Sequence, residues 1–324
     1  MAMTKPAAIP AAILVGTLVG TLAGTLMLAA CSGTQTVSST SSRAASADAD
    51  PVTQGSYVAL GDSYTSGPDI PDQVSDPAGC ARSDRNYPTL IAQSLGLVAK
   101  TYDMSCSAAR IADLTTSQST DGGTNPAQLS ALTTNTTLVT LGIGGNDVDF
   151  TSVLSKCVEL DLVPSFLGGG LSTDLAPCHA YYTSDGVDKI QQTIQSADSN
   201  LADALAQIKT RAPHAHVYVV GYPDLLPSSG TSCAHTLGIT ADDVAFLNSE
   251  ELKLNSMLQQ RAAGAGATYV DTYTPSEGHD ACSDSATRWI EPLVPASPAA
   301  PLHPNAIGEQ GMADAVLHAI KATS

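Results

Sequence analysis

The sequence predicts an α/β fold, a three-layer αβα sandwich in which helices cover both faces of a central parallel sheet. Short apolar runs alternate along the chain with longer segments whose apolar residues recur every three or four positions. Glycine or proline follows several of the apolar runs, as is usual where a strand ends. The sequence has no internal repeat. Such an alternation favours a parallel sheet covered by helices.

The predicted strands are the four apolar runs at 57–60, 137–141, 216–220 and 267–270. The first stops at Gly61, the second leads into a glycine-rich segment, and the third is stopped by Gly221 and Pro223. Ligands bind beyond the carboxyl ends of the strands in sheets of this kind. The residues directly after these runs are therefore the first candidates for a functional site.

Four longer segments are predicted to be helices, at 87–95, 190–208, 242–263 and 306–320. The second has the clearest amphipathic pattern, and the third has two acidic residues in its first turn. The last begins behind Pro304, with Asn305 as its cap. The folded domain is predicted to span 52–324, a length that suits one α/β domain with inserted loops.

The N-terminus has the layout of a secretory signal. Lys5 is the only charged residue in the first 30, and an apolar stretch follows it. Residues 28–31, Leu-Ala-Ala-Cys, resemble the lipobox of bacterial lipoproteins, in which the signal is cut before a cysteine that carries a lipid. The resemblance implies a signal peptide at 1–30, a lipid on Cys31 and a Ser/Thr-rich flexible tether at 31–51. A transmembrane anchor is the alternative, but the small residues of the segment favour cleavage. We expect an exported protein, either anchored at the outer face of the membrane or secreted.

Cysteine usage agrees with export. The chain has seven cysteines, and a lipidated Cys31 leaves six: Cys80, Cys106, Cys157, Cys178, Cys233 and Cys282. Disulfides persist outside the cytoplasm, so three are expected, but six cysteines allow 15 pairings. The spacings contain no CxxC or paired-histidine motif of a zinc site. No metal or other cofactor is implied.

The charge balance argues against nucleic-acid binding. The 324 residues include 14 Lys and Arg against 31 Asp and Glu, a formal net charge of −17, and no basic cluster offsets it. Anionic lipid head groups would repel such a protein. Attachment to a membrane would therefore depend on the lipid anchor. We expect a monomer.

Three segments carry the candidate chemistry: 61–63 after the first strand, 144–147 after the second, and His303 in the last long loop. A serine hydroxyl becomes nucleophilic when a base removes its proton and donors await the oxyanion. The tripeptide Gly-Asp-Ser that ends at Ser63 is by itself more typical of an ordinary turn.

Read together, the segments resemble the SGNH, or GDSL-type, hydrolases in the form found in secreted actinobacterial lipases and esterases. The matching stretches occur in the family's order and cover nearly the whole folded region: 59–67, 80–83 with 86–88, 106–109, 144–147 and 301–308. The resemblance implies a flavodoxin-like αβα sandwich and a serine ester hydrolase that cleaves acyl esters or lipids. Carbohydrate O-deacetylation and phospholipid acyl hydrolysis are alternatives, as is a surface lipoprotein that binds ligands without catalysis.

The resemblance assigns roles position by position. Ser63 matches the nucleophile and also offers its N–H, His303 matches the general base, and Asn146 matches the side-chain donor of the oxyanion hole. The family's second donor is usually a glycine N–H, and Ala108 stands at that position. Alanine supplies the same N–H, provided that the position does not require a positive φ.

A second departure concerns the group that orients His303. Many family members have an aspartate three residues before the histidine, where this chain has Ala300. Some members use a backbone carbonyl instead, so the Ala300 carbonyl is expected to accept a hydrogen bond from His303 Nδ1 in a Ser-His dyad. Asp271 or Asp280 is the alternative orienting group.

The resemblance also implies sequential disulfides, Cys80–Cys106, Cys157–Cys178 and Cys233–Cys282, that brace loops around the site. The segment between Cys157 and Cys178 contains Leu160, Leu162, Val163, Phe166 and Leu167. It is either an apolar rim for an acyl chain or a surface loop without contact to substrate.

Overall fold

Five parallel strands form the central sheet in the computed structural model, which describes residues 51–166, 176–229 and 233–323. In chain order the strands are β1 Ser56–Gly61, β2 Thr101–Asp103, β3 Thr136–Gly142, β4 His216–Val220 and β5 Thr268–Val270. Their order across the sheet is β2-β1-β3-β4-β5, which is the flavodoxin-like doubly wound arrangement. The α/β prediction is confirmed, and each predicted strand lies within two residues of its observed bounds.

The helices of the described residues are α1 Ser63–Ser66, α2 Tyr87–Ser94, α3 Phe150–Phe166, α4 Pro177–Tyr182, α5 Lys189–Arg211, α6 Ala234–Leu237, α7 Ala241–Ala265, α8 Tyr273–Ser276 and α9 Ala306–Thr323. Short 3-10 helices lie at Pro51–Thr53, Val98–Lys100, Ile111–Leu114, Gln128–Ala131 and Ser184–Gly186. Two antiparallel pairs stand apart from the central sheet, Gln73–Val74 with Arg82–Ser83 and Gln118–Thr120 with Gly123–Asn125. None of these helices is both long enough and apolar enough to cross a bilayer.

The two faces of the sheet carry separate cores, because side chains alternate between faces along each strand. On one face Tyr57 and Leu138 pack with apolar residues of α2 and α9. On the other, Leu60 and Leu141 pack with residues of α3, α5 and α7. The three layers follow from this division.

Three disulfides join the pairs that the resemblance implied: Cys80–Cys106, Cys157–Cys178 and Cys233–Cys282. The first ties the loop after α1 to the loop after β2, and the second ties α3 to α4. The predicted signal at 1–30, the lipidated Cys31 and the tether up to residue 50 lie outside the described residues.

Candidate active site

Ser63 follows the carboxyl end of strand β1, as the first residue of the one-turn helix α1. Asp62 caps this turn, since its Oδ1 accepts a hydrogen bond from the N–H of Tyr64 at 2.9 Å. Gly61 must be glycine, because a Cβ there would lie 2.5 Å from the carbonyl oxygen of Gly142. The close packing of β1 against β3 at Gly61 fixes the start of this turn. The Ser63 hydroxyl therefore lies where the carboxyl ends of the strands meet.

His303 faces this hydroxyl from the last long loop, and its Nε2 lies 2.7 Å from Ser63 Oγ. Its Nδ1 lies 2.8 Å from the carbonyl oxygen of Pro301. The prediction that the Ala300 carbonyl would accept from Nδ1 is wrong, because that carbonyl accepts from the backbone N–H of His303 instead. Leu302 has a φ of 61°, and this left-handed turn directs the Pro301 carbonyl towards the ring.

Neither alternative carboxylate replaces this carbonyl. Asp271 accepts from the N–H and hydroxyl of Thr274, and Asp280 accepts from Cys282 and Ser283. Neither has a hydrogen bond to His303. Among the described residues, the hydrogen bond to His303 Nδ1 is therefore made by a backbone carbonyl and not by a carboxylate.

The loop that carries His303 is fastened to the nucleophile turn by Tyr64. The Tyr64 hydroxyl donates to the Leu302 carbonyl at 2.7 Å, and its ring centroid lies 5.1 Å from that of His303.

Burial lowers the pKa of His303, and the Pro301 carbonyl and the charge of Asp69 offset this only in part. His303 therefore stays uncharged to a lower pH than an ordinary histidine.

Asn146 lies in the turn after β3 and lines the same pocket as Ser63. One N–H of its side-chain amide donates to the Ala109 carbonyl at 3.0 Å. This bond fixes the amide plane and leaves the second N–H of the amide for an oxyanion. The side chain is half-buried, as a donor at the wall of a pocket should be.

Ala108 has a φ of 61°, so the condition stated for its N–H, that the position does not require a positive φ, is not met, and alanine adopts the left-handed conformation here. An alanine in this region costs about 1–2 kcal/mol relative to the right-handed region. Its neighbours hold it there, because Cys106 is disulfide-bonded to Cys80 and the Ser107 N–H donates to the Cys80 carbonyl at 2.9 Å. Within the described residues, the N–H groups of Ala108 and Ser63 donate no hydrogen bond. Both remain available as oxyanion donors.

Tyr222, in the loop after β4, links the nucleophile turn to the turn of Asn146. Its hydroxyl accepts from the Gly145 N–H at 2.7 Å and donates to Asp62 Oδ2. Its own backbone is fixed by Asn255 of α7, which accepts from the Tyr222 N–H at 2.8 Å and donates to its carbonyl at 2.9 Å. Burial raises the pKa of Asp62 to about 7.

Tyr64 and Tyr222 were not predicted from the sequence as residues of the site. Tyr64 directly follows Ser63, and Tyr222 directly follows the glycine that ends β4. Both positions lie at carboxyl ends of strands, which was the available signal. Their hydrogen-bond partners, however, are distant in sequence.

A pocket opens beside Ser63, where about 520 Å³ of space, part of it open solvent, lies among the lining residues. Its lining is mostly apolar and aromatic and includes Tyr64, Phe150, Leu154, Tyr222, Leu225, Glu251, Leu254 and Leu302. The N-terminal turns of α3 therefore form one wall. Of the residues predicted as an apolar rim, Leu160 does not line this pocket, and the side chains at 162–167 lie outside what the structure describes.

Within the described ranges, one group of side chains has the spacing of metal ligands: Cys233, Asp280 and Cys282. Its two cysteines form a disulfide and cannot bind as thiolates. This group therefore braces the loop that leads towards His303.

Comparison with known proteins identifies the family. Residues 59–310 match the model of the GDSL-like Lipase/Acylhydrolase family. The chain belongs to this family. Among the relatives of this lipase/acylhydrolase is Lipase 2 of Streptomyces coelicolor, 41% identical over 262 residues that cover 80% of this chain and 83% of the relative. Lipase 1 of the same organism is 32% identical over 264 residues, 81% of this chain and 85% of the relative.

Solved structures of similar proteins agree with the fold of this GDSL-like hydrolase. Phospholipase A1 from Streptomyces albidoflavus NA297 superposes with a TM-score of 0.65 at 30% identity, over 82% of this chain and 99% of that chain. The extracellular lipase from Streptomyces rimosus gives a TM-score of 0.65 at 29% identity, with the same coverage. The protein is a carboxylic ester hydrolase of the lipase and esterase kind.

Proposed function

We propose that the enzyme cleaves acyl esters through a covalent acyl-enzyme on Ser63, with His303 as its base and no acidic third member. The observation that carries this proposal is the 2.7 Å approach of His303 Nε2 to Ser63 Oγ at the mouth of an apolar pocket. A serine hydroxyl in this position is a nucleophile whose proton has a waiting acceptor.

In acylation, His303 Nε2 takes the hydroxyl proton as Ser63 Oγ attacks the ester carbonyl carbon. The negative charge that develops on the carbonyl oxygen is accepted by the N–H groups of Ser63 and Ala108 and by the Asn146 amide. The tetrahedral intermediate collapses, and the His303 imidazolium gives its proton to the departing alcohol oxygen.

In deacylation, His303 removes a proton from water, and the resulting hydroxide attacks the acyl carbon. The same donors stabilise the second oxyanion, and the proton returns to Ser63 Oγ as the acid leaves. The Pro301 carbonyl holds the proton on Nδ1 throughout, so the neutral ring has an unprotonated Nε2 that can act as base in each step. A neutral carbonyl stabilises the imidazolium less than a carboxylate would.

The apolar pocket beside Ser63 supports an acyl chain as the group that it receives. Phospholipid acyl hydrolysis is the second candidate, favoured by the similarity to a phospholipase A1 over 82% of this chain. Comparing a phosphatidylcholine with a triacylglycerol of the same acyl chain distinguishes the two, since only the alcohol part differs.

Export and lipid anchoring on Cys31 belong to the same proposal. Three disulfides support export, because such bonds persist outside the cytoplasm. A similar lipase of known structure is described as extracellular. Release of a Cys31→Ala variant into the medium, with the wild-type chain retained on membranes, would support the anchor.

The proposed chemistry is tested with the full chain produced in a host that exports it. Wild type, Ser63→Ala and His303→Ala are assayed on p-nitrophenyl esters from acetate to palmitate. We expect both variants to lose at least about a thousandfold in kcat, because nucleophile and base act as a unit.

Matched controls come from the same helix and the same residue type. Ser66→Ala removes a buried hydroxyl of α1 that has no hydrogen-bond partner among the described residues, and His318→Ala changes an exposed histidine of α9. Both controls should keep wild-type kcat. Labelling of wild type, but not of Ser63→Ala, by a fluorophosphonate is expected. Full activity in Ser63→Ala would refute the proposed mechanism.

A further inference from the structure

Glu251 places a carboxyl group in the wall of an otherwise largely apolar pocket. It lies in the middle of α7 and is 4% exposed, with Leu225 and Leu254 beside it in the pocket lining. The proposed reaction does not use it, since it has no hydrogen bond to Ser63 or His303.

Among the residues that the structure describes, none forms an ion pair that would balance an ionised Glu251 carboxylate. Within 51–166, 176–229 and 233–323, its two oxygens accept from the backbone N–H of Leu225 alone, at 3.3 and 3.2 Å. No lysine, arginine or histidine in the described parts of the chain forms an ion pair with it. The titratable groups that face it are acids and phenols: Asp224, Asp280, Tyr64, Tyr269 and Tyr273.

Burial raises the pKa of Glu251 well above its ordinary value, and the charges of Asp224 and Asp280 raise it further. The bond from the Leu225 N–H offsets this only in part. The carboxyl therefore keeps its proton where an exposed glutamate would be ionised, and the pocket wall is then uncharged.

An apolar chain that enters the pocket displaces the water that would hydrate an ionised Glu251. Desolvating a carboxylate without a partner costs far more than desolvating a neutral carboxyl. Binding of a long acyl chain and protonation of Glu251 should therefore favour each other, as linked equilibria require. An acetyl group is too short to fill the pocket and should not sense this charge.

We propose that Glu251 is a specificity-determining residue, which admits a long apolar acyl chain while its carboxyl is uncharged and disfavours it when the carboxylate forms. The inference rests on the proposed function, since it assigns the pocket to the acyl chain. The preference for long over short acyl groups is then controlled by the charge of one buried residue.

The test measures kcat/KM of the full chain for p-nitrophenyl octanoate and acetate from about pH 6 to about pH 10. Product is read at its isosbestic wavelength against buffer blanks. In wild type the octanoate-to-acetate ratio should fall with rising pH by about tenfold or more, mainly through KM for octanoate, since one unit of linked pKa difference corresponds to tenfold.

Glu251→Gln should hold the ratio at its low-pH wild-type value across the range, because the amide keeps the shape and the acceptor for the Leu225 N–H. The matched control is Glu250→Gln on the same helix, a buried glutamate that pairs with Lys253 and does not line the pocket. It should keep the falling wild-type ratio. Glu251→Met, also uncharged and unbranched, serves if the glutamine variant does not fold.

Failure of the inference is separable from failure of the proposed function. Absence of Ser63-dependent acetate hydrolysis would overturn the proposed function. With that activity present, a wild-type ratio that does not change with pH would overturn the inference alone. So would a Glu251→Gln ratio that falls like wild type. A pH-dependent preference that follows the length of the alcohol, in acetate esters of longer alcohols, would also overturn it, because the pocket would then not hold the acyl chain.

Discussion

At the scale of single residues, two tyrosines connect parts of the site that lie far apart in sequence. The Tyr64 hydroxyl holds the loop of His303 through the Leu302 carbonyl, 238 positions away. The Tyr222 hydroxyl bridges Asp62, 160 positions away, and the N–H of Gly145. The Tyr64 hydroxyl therefore fixes the distance between the nucleophile turn and the loop of His303. The Tyr222 hydroxyl fixes the distance between the nucleophile turn and the turn of Asn146.

Tyr222→Phe should act on kcat. The change leaves the Gly145 N–H without its acceptor and removes one donor from Asp62, so the turn that presents Asn146 is held less firmly. A small displacement of a catalytic donor is costly, and we expect kcat to fall about tenfold to a hundredfold with little change in KM for acetate. Steady-state kinetics on p-nitrophenyl acetate measures this.

The control for Tyr222→Phe is Tyr218→Phe, in the strand directly before it. Tyr218 is also buried, but its hydroxyl contacts Thr323 at the far end of α9. Its removal should affect stability and leave kcat unchanged. Equal losses of kcat in both variants would show that Tyr222 has no special positioning role.

Sequence reasoning could reach Ser63, Asn146 and His303 because each lies in a short local motif. It could not choose between the carbonyls of Ala300 and Pro301, because that choice depends on the left-handed φ of Leu302. The positive φ of Ala108 was also out of reach, since local propensity favours ordinary angles for alanine. Such conformations are imposed by surrounding contacts.

At the scale of elements, most of the predicted strands are long and buried. β1, β3 and β4 have five to seven residues, most of them buried, and the short edge strand Thr268–Val270 was found from its apolar run. The other edge strand, Thr101–Asp103, has three residues and none of them is buried. A three-residue strand without an apolar run leaves no periodic pattern. Helix α3 was not predicted, and the segment between Cys157 and Cys178, which contains its C-terminal part, was interpreted as either an apolar rim or a surface loop.

The disulfides act on elements, and their removal should separate stability from catalysis. Replacing Cys80 and Cys106 by alanine opens a loop of 26 residues, and replacing Cys157 and Cys178 opens one of 21. Similar lengths imply similar losses of unfolding free energy, about 2–4 kcal/mol each. The first pair, however, also frees Ala108 to leave its left-handed conformation and move its N–H.

We therefore expect the Cys80/Cys106 double variant to lose about tenfold in kcat for p-nitrophenyl acetate. The Cys157/Cys178 double variant should keep kcat and raise KM for longer esters, because it loosens α3, a wall of the pocket. Thermal unfolding and steady-state kinetics on both variants measure the two effects. Equal losses of kcat would contradict the assignment of Ala108 as an oxyanion donor.

At the scale of the whole molecule, several carboxyl groups of this acidic chain are buried in the folded protein. Burial raises the pKa values of Asp62, Asp161 and Asp224 to about 7. Asp161 and Asp224 are also affected by acidic neighbours, Asp243 and Asp280. The formal net charge is already −17, so ionising these groups as the pH rises adds further negative charge to the compact folded state and does not stabilise it.

The sign of the resulting pH dependence follows from proton linkage. The three carboxyls keep their protons to about pH 7 in the folded chain, against an ordinary value of 3.8. Between these limits the folded state binds more protons than the unfolded state, so the free energy of unfolding falls as the pH rises. The lowered pKa of His303 acts in the opposite direction, but it is one group against these three carboxyls and against Glu251 and Glu309, whose pKa values burial also raises.

We expect Tm to fall by at least about 5 °C between pH about 5 and pH about 8, as a loss of roughly 2 kcal/mol would cause in a domain of this size. Asp161→Asn should make this fall shallower, because the amide oxygen still accepts from the Thr240 N–H while no proton is exchanged. Asp242→Asn, at an exposed position of α7, is the control and should keep the wild-type slope. Thermal unfolding of wild type and both variants across the pH range measures these slopes. A Tm that rises towards pH 8, or equal slopes in wild type and Asp161→Asn, would show that the buried acids do not govern the pH dependence of stability.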